Sequence, residues 1–286
     1  MGWQFIDLAE LGRNTGRSYG AALLRIIFFP LATAVLLGVA VGITTFVSRP
    51  PPAWLDPIVG ILAQYGLIVV VGLAVIRSVA RSHQRPWRSL VAPDLRIDWR
   101  RLAIGGGAEI AILGGQLALV HALTGWPWRL AIPANLPMFV LGVLLIPLQS
   151  ASEEILFRGY LTQALGRISR SRLLIAATVG LAFGALHLNL HGPLTVPYYL
   201  VLSLIFSLVS LRDERLELAI GGHGAINLFA FVAANSGLIG AAIGSVEEGA
   251  VPFNWAAIVV LMLNGALFYG LTRLLVRVFC RPPSTV

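Results

Sequence analysis

Three charged residues lie close together in the apolar stretch Ser152-Glu153-Glu154-Ile155-Leu156-Phe157-Arg158-Gly159. Ionisable groups inside a bilayer are costly, so they are usually functional and partnered. Glu154 and Arg158 are four residues apart, which places them on one helical face with the acid N-terminal, the favourable order for an ion pair. Glu153 is rotated by about 100° from Glu154 and has no partner in its own helix. We therefore expect Glu154 and Arg158 to form a structural pair and Glu153 to be available for chemistry.

Two histidines and an asparagine lie in later apolar stretches with a similar spacing. Phe183 precedes His187 by four residues, and His223 precedes Asn227 by four, so the members of each pair share a helical face. A carboxylate can activate water, and imidazole and amide groups can stabilise an oxyanion. If the fold brings Glu153, His187, His223 and Asn227 together, they have the chemistry that peptide hydrolysis requires.

Other polar residues in apolar stretches belong to no such pattern. They are Glu109, Gln116, His121 and Asn264. A polar side chain inside a membrane most often bonds to a neighbouring helix. The sequence assigns no role to Glu109 or His121.

Composition indicates what kind of fold must position these residues. Of the 286 residues, 57% are hydrophobic and 12% are charged, and the mean hydropathy is +0.82. These values exclude an ordinary soluble domain and predict an all-α polytopic membrane protein. The net charge of +8 therefore marks loops at a membrane surface, and no nucleic-acid partner is predicted. The single cysteine, Cys280, excludes an internal disulfide and a cysteine-rich zinc site.

Eight apolar runs are long enough to cross about 30 Å of hydrocarbon. They lie at 21–48, 55–80, 101–124, 136–164, 171–190, 195–211, 218–243 and 254–279. No repeat or linker divides them, so residues 1–286 are predicted to form a single integral-membrane domain. Residues 1–19 mix charged and apolar side chains, which leaves open an interfacial amphipathic helix or a frayed tail.

The arginines predict the orientation in the membrane. All 21 basic residues are arginine, and nearly all lie near the termini or in the second, fourth and sixth loops, whereas the opposite loops contain only Arg49 and Arg129. Basic residues accumulate on the cytoplasmic side, so both termini are predicted to be cytoplasmic. An all-arginine chain rich in alanine, glycine and leucine is typical of a GC-rich bacterial genome, which indicates a bacterial inner membrane.

In their order and spacing, these residues resemble the CPBP family of intramembrane proteases, which includes the CAAX prenyl endopeptidases of the Rce1 type and the bacterial Abi proteins. The family pattern is Glu-Glu-x-x-x-Arg, then Phe-x-x-x-His, then His-x-x-x-Asn or Asp. This chain reads Glu153-Glu154-Ile155-Leu156-Phe157-Arg158, then Phe183-Gly184-Ala185-Leu186-His187, then His223-Gly224-Ala225-Ile226-Asn227. The resemblance covers about residues 136–243, the core of the family domain.

The resemblance implies a bundle of eight helices with a water-accessible cavity open to the cytoplasm. It also implies an endopeptidase that cuts a membrane-associated protein or peptide. Carried onto this chain, it implies that Glu153 and His187 activate the attacking water, while His223 and Asn227 support the oxyanion.

Descriptions of the family differ on whether a metal is used. Zinc would be held by Glu153, His187 and His223, a ligand set that leaves an open position. The histidines are single residues on different helices, and no His-x-x-x-His spacing supplies two ligands from one helix face. A metal-independent glutamate protease is therefore the favoured expectation, with zinc as the alternative.

Two other functions stay open at this point. A proton-coupled transporter also places acids and histidines within its spans, although no pair of spans has the matching breaks common in carriers. A non-proteolytic membrane scaffold or immunity protein would keep the fold without the chemistry, and the intact motif residues argue against that loss.

Overall fold

The computed structural model of the protein describes residues 4–48, 50, 52, 55–125, 131–133, 135–188, 195–236 and 255–280. Within these ranges the fold is an all-α bundle without a strand, as the sequence predicted. Several predicted features lie outside the described residues, namely the loop arginines 49 and 129 and the ends of two predicted spans, 189–190 and 237–243.

Eight helical stretches follow the eight predicted apolar runs. They are α1 (Gly16–Val47), α2 (Leu55–Arg81), α3 (Trp99–Thr124), α4 (Leu136–Gly166), α5 (Arg172–Ala185), α6 (Thr195–Asp213), α7 (Glu217–Asn235) and α8 (Trp255–Phe279). Seven of these helices are long and apolar enough to cross a membrane, whereas α5 has only 14 residues. The protein is therefore an integral membrane protein, and its described residues contain seven helices of spanning length and one shorter apolar helix.

Short polar side chains fix where several helices begin. Thr15, Asp98, Asn135 and Ser171 each accept a hydrogen bond from a backbone N–H of the first turn of α1, α3, α4 and α5. Such N-caps satisfy amide groups that have no partner within the helix. Gly125 follows α3 with φ at 66°, a left-handed conformation that favours glycine and ends the helix.

Two of the helices contain a π-helical segment. One is Leu62–Gly66 in α2, and the other is Ile155–Leu161 in α4. A π turn is rare and is frequently found at functional sites. The second segment begins directly after Glu154, so the change in helix geometry coincides with the predicted acidic motif.

Glycines allow α3 and α7 to pack closely. A Cβ atom on Gly105 would overlap the backbone of Leu218, and a Cβ atom on Gly221 would overlap the backbone of Leu102. Small residues at such contacts let membrane helices approach one another. Since α7 also packs against α4, this close approach sets the position of the helix that carries His223.

The N-terminal segment packs against the bundle. It forms the 3₁₀ helix Phe5–Leu11, in which Leu8 is fully buried. Arg85 donates a 2.6 Å hydrogen bond to the Leu8 carbonyl oxygen, and Glu10 forms an ion pair with Arg167. The segment is therefore not the frayed tail that the sequence left open, because Phe5 and Leu8 pack against Val91 and Ala92 of the loop after α2 and against Leu216.

Further contacts gather the other basic loops at the same end of the bundle. Arg172 forms an ion pair with Glu214, which in turn accepts a hydrogen bond from the Phe5 amide. Arg101 forms an ion pair with Asp213, and the Cys280 thiol lies close to Arg101. The N-terminal segment, the three arginine-rich loops and Cys280 thus share one end, which we call the basic end.

Candidate active site

Helix α4 carries the two adjacent glutamates into the interior of the protein. Its regular α-helical part ends at Glu154, and the π-helical segment follows at once. Glu154 is fully buried, and Glu153 is 9% exposed. Two carboxyl groups in such a place need partners, because a buried charge without one is strongly destabilising.

Glu154 and Arg158 form the ion pair that their spacing suggested. Arg158 Nη1 lies 3.0 Å from Glu154 Oε1, and both side chains are at most 1% exposed. Arg158 Cζ also lies 4.8 Å from the centre of the Phe183 ring of α5, within the range of a cation–π interaction. The pair therefore contributes to the contact between α4 and α5 as well as to α4 itself.

His223 of α7 lies between the two glutamates. Its Nδ1 is 2.7 Å from Glu154 Oε1, and its Nε2 is 3.5 Å from Glu153 Oε2. The imidazole is buried, and it stacks against Phe206 of α6 with ring centres 5.4 Å apart. Each ring nitrogen thus faces a carboxylate, and one side chain connects both acids of α4.

His187 has different contacts from His223. Among the described residues it forms no ion pair, and its Nδ1 lies 2.7 Å from the Phe183 carbonyl oxygen. A neutral imidazole that donates from Nδ1 accepts at Nε2, so Nε2 is the atom that can act as a base. The physical reason for the difference is that α5 ends at Ala185, which puts His187 in the turn beyond the helix.

Asn227 reaches across to α4, one turn before the glutamates. Its Nδ2 lies 3.0 Å from Ser150 Oγ and 3.2 Å from Gln149 Oε1, and Ser150 Oγ donates to the same Gln149 oxygen. Gln149 also interacts with the Glu153 carboxyl group. Asn227 therefore holds a side chain that contacts Glu153, and its amide hydrogens already have acceptors.

Two residues of this site were missed by reasoning from the sequence. Gln149 lies four residues before Glu153 in an apolar run, a spacing that was sufficient to suggest a shared helical face. Tyr199 of α6 stacks on His187 with ring centres 3.8 Å apart, and it lies close to Glu153. No pattern in the sequence pointed to Tyr199, because only the packing of α6 brings it there.

The charges of this cluster balance when Glu153 and His223 share one proton. Glu154 and Arg158 cancel each other, so a charge on Glu153 alone would be unbalanced and costly in the interior. The neutral combinations are a carboxylate with an imidazolium or a carboxyl group with a neutral imidazole. A carboxyl group beside an imidazole is a pair that general acid–base catalysis commonly uses.

The alternative zinc ligands do not form a metal site in this arrangement. Among the described residues, no three His, Cys, Asp or Glu side chains are grouped closely enough to hold a metal ion. Both ring nitrogens of His223 face carboxylates, and Nδ1 of His187 bonds to a carbonyl oxygen. Glu153, His187 and His223 thus do not fit a zinc ion as they lie here, and metal independence stays a prediction.

The cavity implied by the family resemblance also stays a prediction. Glu153 is only 9% exposed, so water and a peptide need a wider opening to reach it. The remaining polar residues lie elsewhere: Gln116 bonds to Asn264 of α8, Glu109 lies near Tyr198, and His121 lies near the exposed end of α3. None of the three α3 side chains joins the cluster around Glu153.

Comparisons with known proteins match the part of the chain that contains this cluster. The family described as Type II CAAX prenyl endopeptidase Rce1-like matches residues 132–229, a range that includes all the residues of the three motifs. The uncharacterized protein YyaK of Bacillus subtilis (strain 168) is 25% identical over 182 residues. The aligned region is 61% of this chain and 61% of YyaK, so the chain matches less than two thirds of that relative's length. No solved structure gives a significant match.

Proposed function

We propose, from the match of residues 132–229 to the Rce1-like family of type II CAAX prenyl endopeptidases, that this chain hydrolyses a peptide bond in a membrane-associated protein or peptide. The observation that carries the proposal is the position of His223, with one ring nitrogen 2.7 Å from Glu154 and the other 3.5 Å from Glu153. This position gives Glu153 a partner with which to hold and release a proton inside the membrane.

Glu153 acts as the general base in the first step. Its carboxylate takes a proton from water while the water oxygen bonds to the carbonyl carbon of the substrate, and a tetrahedral oxyanion forms. His223 balances the charge of the Glu153 carboxylate before the step, and Glu154 holds His223 in place through Nδ1. A substitution of Glu153 removes the base, whereas a substitution of Glu154 removes the group that orients His223.

Glu153 returns the proton in the second step. The carbon–nitrogen bond of the tetrahedral intermediate breaks, the proton passes to the leaving nitrogen, and the oxyanion collapses to the new carboxyl group. His187 contributes through Nε2, which faces away from its bond to the Phe183 carbonyl oxygen and can orient the water. Tyr199, which stacks on His187 and lies near Glu153, connects the two groups.

Asn227 acts first as a positioning residue in this scheme. Its Nδ2 bonds to Gln149 and Ser150, and Gln149 contacts Glu153. Support of the oxyanion by Asn227, as the family resemblance implies, requires that the substrate oxygen replace one of these acceptors. His223 is likewise proposed to balance the charge of Glu153 and not to support the oxyanion, because both ring nitrogens of His223 face carboxylates.

We also propose that the basic end of the bundle faces the cytoplasm of a bacterial cell. The N-terminal segment, the arginine-rich loops and Cys280 share that end, and basic residues favour the cytoplasmic side of a membrane. The substrate would then approach Glu153 from the cytoplasmic side, where water is available, or from the bilayer.

The proposed hydrolysis is tested by comparing membrane proteomes from cells that produce the intact protein or its Glu153→Gln variant. New peptide termini should appear with the intact protein and be absent with the variant. The matched control is Asp56→Asn, which changes an exposed acid at the start of α2 and should give the same products as the intact protein. Identical termini in all three samples would contradict a peptidase and favour a transporter or a scaffold.

A further inference from the structure

A cavity lies between α3, α6, α7 and α8, beside the candidate active site. Its volume is about 90 Å³, and its wall includes Glu109, Asn264 and the aromatic rings of Tyr198, Phe206 and Phe268. A cavity needs only about 10–15 Å³ to hold a water molecule, so this one has room for a larger guest. The residues of the proposed hydrolysis, Glu153, His187 and Asn227 among them, do not line it.

Phe206 separates this cavity from the cluster around Glu153. One face of its ring stacks on His223, with the two planes 18° apart, while the ring also lines the cavity. The two places are therefore neighbours with a shared wall. A ligand in the cavity would contact Phe206 without touching the catalytic groups.

Glu109 presents an unsatisfied carboxylate oxygen to this space. Its side chain is 2% exposed, and Oε1 has no hydrogen-bond partner among the described residues. Glu109 also has no ion pair in the described part of the chain. A buried carboxylate in this state is costly unless a cation or a proton balances it. Most buried polar atoms in proteins are satisfied, so this one points to a missing partner.

The wall of the cavity selects the kind of partner. Inorganic cations such as Ca²⁺ require six to eight oxygen ligands, but most of the wall is aromatic or aliphatic. The side-chain oxygen of Asn264 already accepts a hydrogen bond from Gln116. An organic ammonium group needs only one counter-ion and gains from aromatic faces around it.

We propose that this cavity binds the ammonium group of a small organic cation, with Glu109 as its counter-ion and the aromatic rings around its apolar part. Leu113, Tyr198 and Asn264 are only partly buried, so the protein does not enclose the cavity completely. The site is distinct from the proposed peptidase site and does not depend on that function.

Equilibrium dialysis of the full chain in detergent against radiolabelled tetramethylammonium tests the proposal. Sodium chloride keeps the ionic strength constant and competes for any non-specific binding to acidic groups. The protein should bind one equivalent, and Glu109→Gln should weaken the affinity by at least about tenfold, as expected when a counter-ion and a cation–π site act together. Glu153→Gln is the matched control, since it removes another buried acid, one that does not line the cavity, and should leave binding unchanged.

A second variant keeps the test decisive if Glu109→Gln does not fold. Leu113→Trp leaves Glu109 in place and fills the cavity from its partly exposed side, and so it should weaken binding to a similar extent. The proposal is overturned if the unmodified protein does not bind tetramethylammonium, if both cavity variants bind as well as it does, or if Glu153→Gln alone loses binding. Each of those results would show that the cavity does not bind an organic cation beside Glu109.

Discussion

His223 Nδ1 and Glu154 Oε1 lie 2.7 Å apart, although 69 residues separate them in the chain. This contact joins α7 to α4 at the residue where α4 changes to π-helical geometry. The same carboxylate oxygen is 3.0 Å from Arg158. Glu154 therefore contacts Arg158 in its own helix α4 and His223 in α7.

Glu154→Gln and Arg158→Leu should both lower stability and activity together. Each change leaves a buried charge without its partner, which costs about 3–5 kcal/mol, and Glu154→Gln also weakens the bond that orients His223. The measurements are the melting temperature in detergent and the cleavage of the substrate found by proteome comparison.

Glu153→Gln provides the contrast in the same experiment. Gln keeps the size of Glu153 and removes only its charge and its basicity, so the melting temperature should stay the same or rise while turnover is lost. Cleavage by Glu153→Gln, or melting at the low temperature of Arg158→Leu, would show that Glu153 is not the general base.

Asn227→Ala should reduce the rate of cleavage more than it affects binding of the substrate. The change removes the donor to Gln149 and Ser150, and the resulting misplacement near Glu153 lowers kcat by up to about 100-fold. The kinetic constants are compared with those of Asn235→Ala, an asparagine at the end of α7 whose side chain bonds to the Phe231 carbonyl oxygen. An unchanged kcat for Asn227→Ala would rule out both its positioning role and its support of the oxyanion.

Gly221→Ala should destabilise the contact between α3 and α7. An added Cβ atom would overlap the backbone of Leu102, and overpacking of this kind costs about 1–3 kcal/mol. Because α7 carries His223, activity should fall with stability. Gly114→Ala in α3 is the control, since no atom lies within 4 Å of its added methyl group. Equal melting temperatures for the two variants would contradict the close packing described here.

Hydrolysis should survive strong chelation. The predicted zinc ligands are not grouped in the described structure, because both nitrogens of His223 face carboxylates. The purified protein is dialysed against a chelator, its zinc content is measured, and cleavage is assayed before and after. Activity that disappears and is restored by zinc alone would favour the metalloprotease.

Cys280 should react with an impermeant maleimide only from the cytoplasmic side. It is the single cysteine of the chain, and it lies at the basic end near Arg101. Burial raises the pKa of the Cys280 thiol, and since the thiolate is the reactive form, labelling should be carried out at about pH 8.5. Inside-out vesicles should be labelled and intact cells should not. Labelling of intact cells would reverse the proposed orientation.

The sequence by itself determined those features that depend on local chain geometry. Runs of apolar residues have the length of a bilayer crossing, so seven helices of spanning length follow from composition and spacing, whereas the run 171–190 contains the shorter helix α5. The ion pair of Glu154 with Arg158 follows from the helical repeat, because residues four apart always share a face. The position of the N-terminal segment was less predictable. Its mixture of charged and apolar side chains is compatible with a membrane surface and equally with packing against the loops of the bundle.

Only the tertiary structure decided which side chains meet across different helices. The sequence contained both His187 and His223, but helical periodicity does not fix the tilt and register of one helix against another. Helix α7 packs against α3 at Gly221 and also against α4, and this placement lets His223 reach both glutamates. The end of α5 at Ala185 turns His187 toward Tyr199 instead. These partners depend on distances between helices, which no spacing within a single helix specifies.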